Sequence, residues 1–259
     1  MEPFGIPETR FFAFLLVLLR TASLFAFAPV FSSPFVPTRV KAALVLGLSA
    51  GLTALGAAPP VPVPGTLGGM AALAAQEVLV GILIGFAARL VFAAVQFGGQ
   101  IVGFQMGLGI VSVMDPQFET QVSVVSQLEF LLAMLLFVSA GGDRILLEAF
   151  ARNLGALPPG QWWAQGSVVK VLVVLSGEVF RLGLALAAPV VAALVCAHIV
   201  LGVFARAVPQ MNMLILGFPV QILVGFLVLG LSLSHWGLAV LRAFADMFQA
   251  LDGLWRLLG

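Results

Sequence analysis

A small set of ionisable side chains interrupts long apolar stretches of the sequence. A charge at the centre of a bilayer costs about 2.5–3.5 kcal/mol on insertion scales, so each such residue is expected to find a partner. Glu178 and Arg181 are three residues apart and share a helix face, which predicts a local ion pair. We expect the set to pair internally or with a partner subunit, while a proton relay and snorkelling from segment ends remain open. The set comprises Arg20, Glu77, Arg89, Glu129, Glu178 and Arg181, together with the histidine His198.

Residue types that carry other chemistry are nearly absent. The single cysteine, Cys196, lies in an apolar run and excludes an intramolecular disulfide framework. The two histidines and this cysteine are too far apart in sequence to give metal-ligand spacing. Neither a phosphate-binding GxxxxGK[ST] motif nor an HExxH motif occurs. The sequence therefore predicts no enzyme activity, no metal and no cofactor.

Composition indicates an integral membrane protein. The chain has 259 residues, of which 61% are hydrophobic and 9% charged, and its mean hydropathy is +1.15. Soluble domains carry about 25% charged residues, so this chain has too few to cover a surface that faces water. A net charge of +1 without a basic cluster argues against a nucleic-acid partner.

The apolar segments show no strand alternation, which favours an all-α fold with long helices broken by Pro and Gly and with helical hairpins. The stretch 167–205 would measure about 57 Å as one straight helix, roughly twice a bilayer core of about 30 Å. We expect it to bend, fold back or project, with Pro189 as the natural break. The six segments are 11–28, 40–58, 70–95, 122–140, 167–205 and 211–233, followed by an amphipathic tail at 234–259.

A polar, glycine-rich stretch at 98–129 separates the third and fourth segments. Gly99, Gly103 and Gly107 recur every four residues and would form a bare stripe on a helix, where another backbone can approach closely. Gly109 then loosens the chain, and Asp115-Pro116 breaks it. Between them lies an uncharged apolar tip, and such a loop at membrane depth must be buried in protein or line a cavity. The tip reads Ile110-Val111-Ser112-Val113-Met114.

Two spaced blocks of this sequence resemble the FliR family, the flagellar type III export-gate subunits, over essentially the whole chain. The Leu157-Pro158 turn and the number of apolar segments are also similar to that family. The first block is Gly99-Gln100-x-x-Gly103-Phe104-Gln105-Met106-Gly107-Leu108 with Asp115-Pro116, and the second is Pro209-Gln210-Met211-Asn212 with Gly217-Phe218-Pro219 and Gly225.

The resemblance implies a single gate domain over 1–259, with a FliP-like half at about 1–166 and a FliQ-like half at about 167–259. It implies a subunit of the bacterial inner membrane, in the flagellar basal body, that assembles with FliP and FliQ. FlhB and FlhA would associate with this core, rod and FliE proteins would lie above it, and unfolded flagellar proteins would pass through it.

The resemblance also assigns a channel plug to the mid-chain loop and helix packing to the second block. An apolar constriction closes a pore to ions by dewetting, and glycine hinges would let the loop move. Two departures stand out, because the tip lacks the aromatic residues frequent in the family and Gly141-Gly142-Asp143 replaces an Asn-Gly-His-like element. The implied plug residues are Gly103, Phe104, Gln105, Met106, Gly107, Gly109, Ile110, Val111, Val113, Met114, Asp115 and Pro116, and the implied packing residues are Gly99, Gly103, Gly107, Pro209, Asn212, Gly217, Pro219 and Gly225.

Two other functions stay open at this point. A virulence-type secretion homologue would have the same role with different cargo. A proton-coupled transporter of small solutes would use Glu77, Glu129 or Glu178 as its proton carrier. The transporter would form its path alone or as a symmetric oligomer, whereas the gate subunit needs FliP and FliQ.

Overall fold

The structure, a computed structural model, describes residues 7–33, 36–108, 123–161, 166–207 and 213–258. These residues form eight α-helices, and no β-strand occurs among them. The predicted all-α class is therefore confirmed. In chain order the helices are α1 (Glu8–Phe27), α2 (Pro29–Ser32), α3 (Thr38–Ala54), α4 (Leu67–Gln105), α5 (Val124–Ser139), α6 (Gly142–Ala156), α7 (Gly166–Ala207) and α8 (Met213–Leu258).

Several of these helices are long and apolar enough to cross a membrane. Four qualify individually within the described residues: α1, α4, α7 from Val173 and α8 between Gly217 and Leu251. Helices α5 and α6 qualify together as a pair bent by 65°, which would make a fifth span. The chain is thus an all-helical integral membrane protein, as its composition predicted.

Two prolines, of which the sequence marked Pro189 as a break, lie inside continuous helices. Helix α7 has 42 residues and includes Pro189, so the expected break there is wrong. Helix α8 has 46 residues and includes Pro219. Pro189 itself is exposed, but Ala187 and Val190 beside it are buried in a core, and this packing offsets the one helical hydrogen bond that proline removes. At about 1.5 Å per residue, α7 is about 63 Å long.

The glycine-rich stretch also begins as helix. Helix α4 has 39 residues and continues through Gly98 and Gly99 to Gln105, ten residues beyond the predicted end of the third segment. Four of its glycines, Gly81, Gly85, Gly98 and Gly99, are tolerated because neighbouring backbones pack directly onto them.

Contacts divide the chain into two compact units that are interleaved in sequence. The first unit comprises Met1–Leu90, Gly141–Leu175 and Phe244–Gly259, and the second comprises Val91–Ala140 and Ser176–Ala243. Helices α4, α7 and α8 each contribute residues to both units. The division into FliP-like and FliQ-like halves along the sequence remains a prediction from the resemblance.

In the first unit, α4 packs closely on α1 through glycines. A Cβ atom on Gly85 would lie 2.8 Å from Cβ of Phe27 and 3.0 Å from the carbonyl oxygen of Leu24. Gly81, one turn earlier, lies closer still to the backbone of Arg20. Helix α1 is thereby held against α4 next to Arg20.

In the second unit, α4, α5, α7 and α8 share one apolar core. Helices α4 and α7 cross at two glycines: a Cβ on Gly98 would lie 2.8 Å from the carbonyl oxygen of Gly183. Phe92 of α4 contacts Phe130 and Phe137 of α5 edge to face, with ring centroids 5.7 and 5.6 Å apart. The buried core residues are Val102, Met106, Val125, Ala187, Val190, Leu194 and Leu229.

Candidate functional site

Helices α4 and α5 flank residues 109–122 and pack through a seam of small residues. Ser123, Ser126 and Glu129 recur every three residues at the start of α5, and they face Gly103 and Gly99 of α4. A Cβ on Gly99 would lie 2.6 Å from Cα of Ser126, so only glycine fits at that crossing. We call these five residues the glycine seam.

Hydrogen bonds of Ser123 and Ser126, which precede Glu129 in the sequence, hold the glycine seam together. The Ser123 backbone N–H donates to Oε1 of Gln100 at 3.0 Å, and the Ser126 hydroxyl donates to the carbonyl oxygen of Gln96 at 2.9 Å. The Ser123 hydroxyl also accepts from the N–H of Val125 at 3.2 Å and caps the N-terminus of α5. The start of α5 is therefore fixed both to itself and to α4.

Gly107 ends α4 instead of extending the glycine stripe. Its φ of 80° is left-handed, a conformation that glycine adopts without strain. The N–H of Leu108 donates to the carbonyl of Gly103 at 3.1 Å, and the N–H of Gly107 donates to that of Phe104 at 3.0 Å. This pair of bonds is a Schellman motif, which satisfies carbonyls at the helix end. The four-residue spacing predicted a stripe member, and the motif corrects that expectation.

Helix α8 packs on this helix end through the second block of the FliR resemblance, which includes Gly217, Phe218, Pro219 and Gly225. A Cβ on Gly107 would lie 2.5 Å from Cε1 of Phe218, and a Cβ on Gly225 would lie 2.7 Å from Cγ of Met106. Gly217 is buried, whereas Pro219 is exposed. The resemblance assigned packing to this block, and Gly225 makes its contact with the end of α4.

His198 and Gln221 link α7 to α8 within the same unit. The Nδ1 atom of His198 lies 2.8 Å from the carbonyl oxygen of Leu194, which can only accept. Its Nε2 atom lies 2.8 Å from the amide nitrogen of Gln221. These partners assign the neutral tautomer with the proton on Nδ1, so that Gln221 donates to Nε2.

Glu129 is the ionisable side chain of the glycine seam, and it is buried. It is 4% exposed, and its Oε2 atom has no hydrogen-bond partner among the described residues. A Cβ added to Gly99 would lie 2.9 Å from that oxygen, so the carboxyl group rests against bare backbone of α4. The hairpin of α4 and α5 therefore contains a buried carboxyl group between its two helices.

The first unit contains a buried polar cluster of a different kind, which we call the arginine cluster: Arg20, Glu77, Asn153, Leu157 and Gly160. The Nε atom of Arg20 donates to Oε2 of Glu77 at 2.5 Å, with the two side chains 0% and 1% exposed. Its Nη1 atom donates to Oδ1 of Asn153 at 3.0 Å and to the carbonyl of Leu157 at 2.9 Å. The N–H of Gly160 donates to Oε1 of Glu77 at 2.9 Å. The cluster thus joins α1, α4, α6 and the turn after α6.

The other predicted charges lie at the surface of the chain. Glu178 and Arg181 form an exposed ion pair with an oxygen–nitrogen distance of 2.5 Å. Arg89 is exposed. The structure therefore brings together two of the pairs within the predicted set and leaves Glu129 apart.

The predicted plug residues divide between described and undescribed positions. Phe104 is 56% exposed, whereas Met106 is fully buried in the core of the second unit. Gln105 is the last residue of α4. The remaining members lie outside the described residues, as do two of the predicted packing residues: Gly109, Ile110, Val111, Val113, Met114, Asp115, Pro116, Pro209 and Asn212.

Sequence reasoning missed several residues that build these sites. Asn153 and Gly160 complete the arginine cluster, and Gly183 forms the crossing of α7 with α4. A signal existed for Asn153, because it is a polar residue that the helical period places among the buried Leu146, Ala149 and Phe150. No group of three or more His, Cys, Asp or Glu residues within the described ranges could hold a metal ion.

The fold and the site define a class: an all-helical membrane protein in which glycine-packed helices flank a mid-chain segment with an uncharged apolar tip. A family model, "Bacterial export proteins, family 1", matches residues 11–247. The chain belongs to this family of bacterial export proteins, and the FliR resemblance is confirmed by the relatives that follow.

Three relatives are flagellar biosynthetic proteins FliR. The protein of Escherichia coli (strain K12) is 32% identical, over 80% of this chain and 79% of its own length. The protein of Bacillus subtilis (strain 168) is 29% identical, over 95% and 96% respectively. The protein of Aquifex aeolicus (strain VF5) is 29% identical over 92% of each chain. The similarity therefore extends over nearly the full length of the two chains in the last two cases.

Proposed function

We propose that this protein is a core subunit of the flagellar type III export gate in the bacterial inner membrane. It assembles with FliP and FliQ, has no enzymatic activity of its own, and contributes one part of the channel plug. Membership of the export family and similarity to FliR proteins over most of the chain carry this proposal. The flagellar relatives favour flagellar cargo over virulence cargo.

The geometry of the hairpin supports a plug between Gly103 and Pro116. Helix α4 ends in a Schellman motif at Gly107, and α5 starts at a serine cap that is bonded back to α4. The two ends of the hairpin, at Leu108 and Ser123, are therefore fixed by hydrogen bonds. The residues between them include the uncharged tip at 110–114, whose side chains would exclude water from a narrow pore.

The exposed apolar surface of α7 and α8 supports assembly with other subunits. Only 22% of the most apolar window of α7 and 17% of that of α8 is buried within the chain. At about 63 Å, α7 exceeds the roughly 30 Å of a bilayer core, so lipid alone covers only part of it. Sister helices of FliP and FliQ would cover the remainder. FlhB, FlhA, the rod and FliE proteins and unfolded flagellar substrates are the further partners of the proposed complex.

The test combines assembly, ion leak and export in one strain. The chain is co-expressed with FliP and FliQ homologues, either unchanged, with Ile110–Met114 deleted, or with Val113→Asp and Met114→Asp together. We expect the altered complexes to assemble and to leak ions across the inner membrane, because charge at the tip wets the constriction. Flagellin export is measured in the same cells.

A matched control places a negative charge elsewhere. Val63 lies in the linker between α3 and α4 and is 38% exposed, so Val63→Asp should assemble without leak. An ion-tight complex carrying the tip changes would move the seal to other residues. Normal export by the chain without any partner subunit would refute the gate and favour a self-sufficient transporter.

A further inference from the structure

Glu129 is a buried carboxyl group to which the second unit offers no cation. It lies in the middle of α5 with its Oε2 atom against Gly99 and without a hydrogen-bond partner among the described residues. An ionised carboxylate that is buried without a partner is far more costly than one that is paired or neutral. The charge state of Glu129 is therefore determined by its surroundings in the glycine seam.

The titratable groups of each helix packed against α5 lie elsewhere. Between Val91 and Gln105, α4 has no titratable side chain, and α5 has none besides Glu129. On α7, Glu178 is paired with Arg181, and His198 is bonded to Leu194 and Gln221. The other titratable residues of α7 and α8 in this unit are exposed, and they are Cys196, Arg206, His235 and Arg242.

The two stretches of the second unit that lie outside the described residues contain no cationic side chain. Residues 109–122 and 208–212 contain no Lys, Arg or His, and the former add only the acids Asp115 and Glu119. Arg89, on the same helix as Gly99, lies about 15 Å before it at about 1.5 Å per residue. Since the second unit provides no cation for the carboxylate of Glu129, binding of a proton is what neutralises this side chain within the unit.

We propose that Glu129 is a proton-binding site whose neutral form closes the glycine seam and whose ionised form opens it. The step is an acid dissociation: the carboxyl O–H bond breaks and the proton passes to water, with no other reactant. A carboxylate at this position draws water towards Oε2, and the water must enter between Gly99 and Ser126.

The seam couples this site to residues 109–122. Ser126 is one helical turn from Glu129, and its hydroxyl is bonded to the carbonyl of Gln96. Ser123 is one turn further, bonded to Gln100 and adjacent to Gly103. If α4 and α5 separate at Gly99, the hydrogen bond of Ser126 is strained first and that of Ser123 next. These hydrogen bonds fix the position at which α5 begins. Release of the proton would loosen the junction at Ser123, which is one of the two ends of the proposed plug. This consequence rests on the proposed gate function, whereas the proton site itself does not.

The first experiment detects the proton directly. Full-length protein, purified with FliP and FliQ homologues, is compared with Glu129→Gln by infrared difference spectroscopy at several pH values. We expect a carboxylic-acid carbonyl band in the wild type that is lost in Glu129→Gln and that diminishes as pH rises. Glu178→Gln is the matched control, because its exposed, paired carboxylate should contribute no such band. A wild-type spectrum without the acid band at every pH overturns the proton site.

The second experiment reads the consequence in vesicles that contain the assembled complex. Ion leak in the wild type should rise with pH, whereas Glu129→Gln, which resembles the neutral form, should assemble and lose the whole pH response. Failure of Glu129→Gln to assemble, while Glu178→Gln assembles, would mean that a partner cation neutralises Glu129, and this overturns the proposal. If the wild type does not assemble with FliP and FliQ, the gate function fails, and the infrared band of the chain alone still decides the proton site.

Discussion

The two compact units each bury a glutamate in an apolar surrounding but neutralise it differently. Glu77 of the first unit accepts from Arg20 and from the N–H of Gly160, so both of its oxygens have partners. Glu129 of the second unit has one oxygen without a partner and lies against Gly99. The two side chains are almost equally buried, at 1% and 4% exposure.

This contrast shows that burial alone does not define the role of an intramembrane acid. An ion pair in which both carboxylate oxygens of Glu77 have partners holds α1, α4 and α6 in one arrangement, since any rearrangement would leave a charge unpaired. A single carboxyl group can change its charge without breaking a pair, and it is therefore suited to switching. The first unit is built for rigidity at this site, and the second for a change of state.

The largest effect is expected from removal of the cation in the arginine cluster. Arg20→Met keeps an unbranched apolar side chain but removes the guanidinium and leaves Glu77 buried and uncompensated, which costs about 3–5 kcal/mol in the free energy of unfolding. Denaturant titration of the purified protein in detergent measures this. The double variant Arg20→Met with Glu77→Met should recover most of the loss, and an equally unstable double variant would contradict the paired-charge account.

A smaller effect is expected when the two glutamates are compared directly. Glu77→Gln retains shape, but its amide nitrogen cannot accept, so one of the two hydrogen bonds is lost and the other loses its charge assistance; we expect a loss of about 1.5–3 kcal/mol. Glu129→Gln matches the neutral carboxyl and should change the free energy of unfolding by less than about 1 kcal/mol near neutral pH. Equal losses in the two variants would remove the distinction between the sites.

The glycine seam can be tested by adding one methyl group. Gly99→Ala would place Cβ 2.6 Å from Cα of Ser126, and overpacking of this kind costs about 1–3 kcal/mol. Gly230→Ala in α8 is the matched control, because it meets nothing within 4 Å and raises helix propensity. Thermal unfolding in detergent should therefore separate the two variants, with Gly99→Ala the less stable. Equal stability would show that the helices are not in contact there.

The smallest effect is expected for the exposed pair of α7. Glu178→Gln removes an ion pair between side chains that are 49% and 75% exposed, and such helical pairs contribute about 0.2–0.5 kcal/mol. A shift this small is measurable as a difference in unfolding midpoint at low salt that disappears at high salt. A loss comparable to that of Arg20→Met would mean that this pair is buried in the assembled protein.

Local spacing predicted the elements of this fold better than their ends. The apolar runs and the absence of strand alternation gave the helices, and the three-residue spacing of Glu178 and Arg181 placed them on one helix face. The end of α4 was misread, because a four-residue glycine repeat looks the same whether its last member is helical or is a left-handed cap. Pro189 was misread because the buried neighbours that stabilise α7 come from other helices.

Contacts between distant parts of the chain were beyond the reach of spacing. Arg20 and Glu77 are 57 residues apart, and Asn153 is 133 residues from Arg20, so no periodicity connects them. The crossing of Gly98 with Gly183 is a similar case, since each is one glycine among 28 in the sequence. These interactions depend on how complete helices pack, which a single sequence does not encode in any local pattern.

The way in which the hairpin closes its own helix ends also makes residues 109–122 an exchangeable cassette. Leu108 is bonded to Gly103, and Ser123 is bonded to Gln100 and Val125, so each junction has hydrogen bonds to residues outside 109–122. We therefore expect that a segment of another length or composition can be inserted between these junctions while both helix ends are kept. Chimeras that carry this stretch from other family members would then transfer the properties of the segment while the scaffold stays constant.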